Sequence, residues 1–157
     1  EDYLRRLWDR HSPTGPDGEN PLESKFRARV RYAEENFGGL RGGIVSDRGR
    51  VYVRYGPPDE VRFELNPQDT EILAFQLPRE LQADGEDRPA ARERLSKRRD
   101  PADNRPYEIW DYTTRGDPLL PEYVNPGNKI GLKFIFVDEL GDGDFVLVYT
   151  NVPGSLQ

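Results

Sequence analysis

The chain reads as an α+β domain: N-terminal helices packed on a mainly antiparallel β-sheet, joined by long Pro- and Gly-rich irregular segments. Three observations predict it. Leu22, Phe26, Val30, Ala33 and Phe37 step by four, four, three and four, the spacing of one continuous helical face. Three short apolar or alternating runs, at 107–112, 130–137 and 145–149, have strand length and are separated by turn residues. Helical patterns gather in the first half and strand patterns in the second, the order of helices laid on one face of a sheet rather than of alternating βα units.

Tyr3, Leu4, Leu7 and Trp8 lie three and four apart and predict a first helix of two to three turns. His11 then opens a linker broken by Pro13, Gly15, Pro16 and Gly18. In the second helix Asn20 suits the N-cap, Pro21 the first helical position and Glu23 the capping-box position. Gly38 and Gly39 stop that helix, and Arg27, Arg29, Arg31, Glu34 and Glu35 are expected on its wet face. Asp47, Arg48 and Gly49 read as a turn. Val51, Val53 and Tyr55 alternate with Tyr52 and Arg54 as in a strand over 50–55, which Gly56, Pro57 and Pro58 end in a stiff corner. Val61 to Leu65 alternates again and is placed as a strand pairing back across that corner.

Residues 72–77 are apolar, with helix and strand equally open, and the charged span 78–105 reads as a long surface insertion without periodicity. Tyr107–Tyr112 alternates, while 130–137 and 145–149 are apolar on both parities, as expected of covered, mid-sheet strands. Glu139 to Gly143 is a Gly-containing connection that makes the last two strands antiparallel neighbours. The domain plan is thus an arm at 1–21, an α+β domain at 22–154 and a short tail at 155–157.

Composition bounds the function classes. Hydrophobic residues are 34% and charged residues 33%, a balance that permits a core only because the two Trp, eight Tyr and seven Phe cluster in the periodic segments. A net charge of −6 argues against binding nucleic acid, which depends on cationic side chains. No apolar run reaches the ~20 residues that cross a bilayer. The chain has no cysteine, which excludes disulfides, Cys-ligated zinc and thiol catalysis. It also has no methionine, even at position 1, so a removed signal peptide is one explanation of its start and an excision elsewhere is another.

The stretch from Gly42 to Glu60 is the most distinctive: a Gly-rich turn, the Asp47-Arg48-Gly49 step, Tyr52, Tyr55 and the Gly56-Pro57-Pro58-Asp59 corner. It resembles the core of the GWxTD domain family, named for Gly-Trp-x-Thr-Asp and continued by Arg-Gly-x-Val-Tyr-x-x-Tyr-Gly-Pro-Pro-Asp. Gly43, Ile44, Val45, Ser46 and Asp47 fall on the naming pentad, with Ile44 in place of Trp and Ser46 in place of Thr. Tyr107 to Trp110, Phe134 to Asp138, Gly143 to Val148 and Pro153-Gly154 look like later blocks of that family, so the resemblance covers roughly 22–154. It implies a bacterial protein whose relatives carry an export signal, hence an extracytoplasmic location in the periplasm or outer envelope, and it implies no defined reaction.

Candidate chemistry is sparse. Asp138, Asp142 and Asp144 bracket Gly141 and Gly143 and are weighed as calcium ligands against a plain acidic turn. His11 is the sole histidine, no serine sits in Gly-x-Ser-x-Gly, and the glycines at 38–43 follow a helix where a dinucleotide loop follows a strand. Paired carboxylates, such as Asp59 or Glu60 near Asp111, leave a hydrolase of glycosidase type as an alternative. The basic run of Arg88, Arg92, Arg94, Lys97, Arg98 and Arg99 reads as a solvated insertion or as a docking patch for an anionic surface. Trp110, Tyr112 and Tyr123, with Tyr52 and Tyr55, are either core or interface aromatics. These observations predict a non-catalytic interaction or structural module without a cofactor, an accessory subunit whose partner is another protein or complex, including one at a membrane surface. A carbohydrate- or peptide-binding module that stacks ligands on its aromatics is the further alternative.

Overall fold

The computed structural model describes residues 2–11, 18–39, 42–64, 105–113, 116–123 and 131–152. The segment at 72–77, the basic run from Arg88 to Arg99 and nearly all of the charged insertion lie outside these residues. The elements are α1 (Asp2–His11), α2 (Pro21–Phe37), α3 (Asp47–Tyr55), β1 (Glu60–Glu64), β2 (Tyr107–Tyr112), β3 (Leu132–Asp138) and β4 (Phe145–Thr150). The four strands form one antiparallel sheet in the order β1-β2-β3-β4, preceded by the helices, as an α+β domain requires.

Helix α2 begins where its sequence says. The Asn20 side-chain oxygen accepts from the backbone N–H groups of Leu22 and Glu23 at 3.0 and 3.2 Å, with Pro21 at the first helical position. Glu23 uses its carboxylate to hold Arg27 one turn on. The apolar stripe faces inward: Ala33 is buried, and Leu22, Phe26, Val30 and Phe37 pack on a cluster of Trp8, Val53, Leu119 and Leu120. Trp8 brings α1 into that cluster, its ring 5.1 Å from Phe26. His11 is the last residue of α1 rather than part of the linker.

The strand expected over 50–55 is a helix. Ser46 is its N-cap, accepting from the Gly49 N–H at 3.0 Å, so Asp47, Arg48 and Gly49 form a first helical turn instead of a loop. Alternation misleads here because Val51, Val53 and Tyr55 are all buried, yet into two cores. Val51 and Tyr55, four apart, face the sheet, whereas Val53 faces α2 and α1. Two glycines let the backbones close. A Cβ on Gly43 would lie 1.9 Å from the Ala33 carbonyl oxygen, and one on Gly49 would lie 1.8 Å from the Gly43 carbonyl oxygen. The corner at Gly56, with φ of 78°, does end the element, but β1 leaves it to pair with β2 and not back across it.

All four terminal carbonyls of α3 are satisfied. Tyr52 accepts from the Gly56 N–H, Val53 from Arg29, Arg54 from the Leu119 N–H and Tyr55 from the Asp117 N–H, at 2.7 to 3.1 Å. Arg29, expected on the wet face of α2, is therefore buried. Its position three residues after Phe26 and four before Ala33 places it on the border of the apolar stripe.

Both faces of β2 and β3 are interior. Trp110, Tyr112, Leu132, Phe134, Phe136 and Phe145 face the helices, and Tyr107, Ile109, Ile135, Val137 and Tyr149 form a cluster on the opposite face. β3 lies mid-sheet, as its composition predicts, whereas among the described residues β4 ends the sheet. A bulge explains the uniformly apolar run of β4. Phe136 pairs with Leu147 and Ile135 with Tyr149, leaving Val148 between them, so Phe145 and Leu147 point to one face and Tyr149 to the other.

Candidate functional site

The residues of the Gly43 to Asp59 stretch converge on the junction between the helices and the sheet. The Glu34 carboxylate accepts from the Gly43 and Ile44 N–H groups at 2.9 and 3.0 Å, pinning the 43–45 turn to α2. Ser46 also donates its hydroxyl to the Gly43 carbonyl at 2.7 Å. Asp47 holds Arg50 and accepts from the Leu147 N–H at 2.7 Å, so the first turn of α3 occupies a backbone donor of the end strand β4. Tyr52 stacks on Tyr32 with ring centroids 4.5 Å apart, and Tyr55 packs on Tyr112 and Phe134. Tyr112 donates its buried hydroxyl to the Gly56 carbonyl at 2.9 Å. Asp59, after Pro57 and Pro58, accepts from the Thr113 N–H and hydroxyl at 2.7 and 2.9 Å.

Arg48 is the hub. It bridges α3 to Glu108 of β2 at 2.9 Å and donates to the Gly143 carbonyl of the last hairpin at 3.1 Å. Its guanidinium lies 4.2 Å from the Phe145 ring centroid and 5.3 Å from that of Phe37. The pair is 14% and 12% exposed, so each charge depends on the other to remain in the interior.

A second ion-pair group ties α2 to the loop before the 121–123 turn. Asp117 receives Lys25 at 2.7 Å and Arg29 at 2.8 Å, and Arg29 also donates to the Asp117 carbonyl at 2.7 Å. The Lys25 hydrogen bond, with both cations adding to it, holds the Asp117 carboxyl below the usual range. Burial pulls the Arg29 guanidinium down, with Asp117 opposing. Burial raises the Tyr52 phenol, reinforced by Tyr32, and it pushes Tyr112 well above the ordinary tyrosine range.

The carboxylates weighed as chemistry are engaged otherwise. Asp111 sits between Arg62 and Lys133, and Asp59 holds Thr113. The calcium reading of the last hairpin gives way to the turn. The buried Asp138 carboxylate accepts from the N–H groups of Gly141, Asp142 and Gly143 at 2.7 to 3.2 Å, while Asp142 caps the Asp144 N–H at 3.0 Å. Among the described residues no three acidic or histidine side chains gather around a metal-sized site.

The aromatics expected at an interface are mostly core. Trp110 and Tyr112 are 1% and 2% exposed, because even-numbered positions of β2 face the helices. Tyr123 is half-buried against both helical-side clusters, with Arg54 over its ring at 5.5 Å. Exposed apolar surface lies elsewhere, on Tyr3, Val45 and Leu140 singly and on Tyr32 at 43%, Val61 at 49% and Phe63 at 55%. Val61 pairs with Trp110 and Phe63 with Glu108, so both project from the helix-side face of β1, with the Phe63 ring 6.1 Å from that of Phe145. The alternation of 61–65 announced a strand, but not that its apolar side would remain open. Comparison of the chain with protein-family models, with curated proteins and with solved structures finds no match.

Proposed function

We propose that this chain is a non-catalytic protein-interaction module, an extracytoplasmic accessory subunit of a larger envelope or membrane-associated assembly, built on a GWxTD-like domain. One contrast carries the reading. Asp47, Arg48 and Asp59 are spent on joining the 43–59 stretch to the sheet, whereas Tyr32 on α2 and Val61 and Phe63 on β1 leave apolar surface open. A rigid aromatic and aliphatic surface on a sheet is a binding feature, since such anchors dominate interface energetics. The resemblance of Gly43, Asp47, Arg48, Gly49, Tyr52, Tyr55, Gly56, Pro57, Pro58 and Asp59 to that family supports the compartment. No helix of the described residues is long and apolar enough to cross a membrane.

The experiment is a cross-linked purification of the tagged protein from its native cells, separated into envelope and cytosolic fractions, beside a V61S/F63S variant. The expected result is one stoichiometric partner in the envelope fraction that the variant loses about tenfold. Recovery from the cytosol, or a partner held equally by the variant, counts against the proposal.

A further inference from the structure

Among the described residues β1 ends the sheet and β2 is the only strand paired with it. An end strand with half-exposed Val61 and Phe63 is a template for another strand, and charges along it decide which partner is admitted. Glu60, Arg62 and Glu64 alternate with the two apolar residues and face the other side of the sheet, Arg62 held by Asp111.

Consider a second copy of β1 laid antiparallel on the first. Registers that set apolar residues against charged ones are excluded, because a one-residue slip exchanges the faces. Centring the pair on Arg62 sets Arg62 against Arg62 and Glu60 against Glu64, like charges directly opposite. Centring it on Val61 sets each Glu60 opposite the other copy's Arg62, but also sets Asp59 against Phe63 and brings Pro58, which has no N–H, opposite Glu64. Centring it on Glu64 opposes the two Glu64 carboxylates. Centring it on Phe63 stacks Phe63 on its symmetry mate and sets each Arg62 opposite the other copy's Glu64.

We infer that two copies of this chain pair antiparallel through β1 about a two-fold axis at Phe63, extending the sheet from one copy into the next. The contact is isologous and closes after two subunits. With the axis at Phe63 only Arg62, Phe63 and Glu64 of each copy oppose one another within β1, which buries less than the ~1,000 Å² of a lasting interface, so the dimer is a weak one that appears as concentration rises. This deepens the interaction reading by naming an occupant of β1, and it is tested on the purified chain alone, so its failure leaves the search for a foreign partner standing.

Analytical ultracentrifugation across a concentration series reads it. Arg62→Glu and Glu64→Arg should each weaken association by about tenfold, since each creates two like-charge contacts. In an equimolar mixture of the two variants, one chain carries carboxylates at both positions 62 and 64 and the other carries guanidinium groups at both. Every cross-strand contact is then again between opposite charges, and the mixture should associate about as well as the unaltered chain. Because Arg62 also holds Asp111, Glu64→Arg, at the exposed end of the strand, serves as the variant whose fold is least disturbed. A chain that stays monomeric throughout, association unchanged by Glu64→Arg, or a mixture that fails to associate when both variants are folded would each overturn the inference.

Discussion

Replacing Arg29 by methionine keeps the length and apolar stem of the side chain while removing its donors. Three hydrogen bonds disappear: one to the Val53 carbonyl, one to the Asp117 carbonyl and one to the Asp117 carboxylate. Val53 lies at the buried C-terminal end of α3, and a buried acceptor left without its donor costs about 1–3 kcal/mol. The carboxylate contact adds little, because Asp117 is 58% exposed and keeps Lys25, so a value of about 0–1 kcal/mol applies. Relief of the desolvated guanidinium offsets part of the loss, leaving about 1–3 kcal/mol, a drop in Tm of roughly 2–12 °C for a chain of this size. Urea unfolding followed through Trp8 and Trp110, both buried, measures it. Lys25→Ala should cost less than Arg29→Met, since Lys25 is exposed and the Val53 bond survives. A loss under about 1 kcal/mol for Arg29→Met, or the reverse order of the two variants, would refute the view that Arg29 acts by capping α3.

Gly49→Ala drives a Cβ to 1.8 Å from the Gly43 carbonyl oxygen and should destabilise the protein by about 1–3 kcal/mol or more, whereas Gly39→Ala, meeting only Asp144 at 3.6 Å, should lie within about 0.5 kcal/mol of the parent; equal urea midpoints would contradict this. Asp138→Ala should speed hydrogen exchange at Gly141, Asp142 and Gly143 and cost about 2 kcal/mol, and added calcium should not alter melting of the parent protein; a calcium-dependent rise in Tm would restore the metal reading. The raised Tyr112 phenol favours the folded state with its proton on, so its contribution is complete below about pH 10 and is lost as pH climbs toward the folded value. Absorbance at 295 nm should show this tyrosine titrating only with unfolding, and Tyr112→Phe should flatten the alkaline limb. Asp117 runs the other way: its lowered carboxyl contributes stability above about pH 4 that is lost as pH falls through the folded value, and Lys25→Ala should blunt that acid limb in melting curves.

Where sequence reasoning succeeded, the signals were local. Asn20, Pro21 and the stripe from Leu22 to Phe37 settle α2 among themselves, because capping and amphipathicity act within a few turns. The alternation of Tyr107–Tyr112 and the glycines between β3 and β4 similarly announce strands and a hairpin. At 47–55 the pattern misleads, because Val51, Val53 and Tyr55 satisfy both a period of two and burial on two sides of a helix. Ser46 before the run and Gly56 after it were helix signals in plain view. The candidate surface was misassigned for a related reason: Trp110 and Tyr112 are core because the helices cover their side of β2, while Val61 and Phe63 on the neighbouring strand remain half open.

The sequence by itself determined the α+β class, the amphipathic α2, the four strands and the corner at Gly56, since periodicity, caps and turn residues operate over short separations. Ser46 and Gly56 signal a helix at 47–55, but tertiary structure closed it, through the contact of Gly49 with the Gly43 carbonyl and the capping of its last carbonyls by Arg29, Asp117 and Leu119. It also decided that Asp47 would reach Leu147 and that Arg48 would find Glu108, pairings 100 and 60 residues apart. A periodicity names the faces of an element, but only the packing of distant segments says which face meets protein and which meets water.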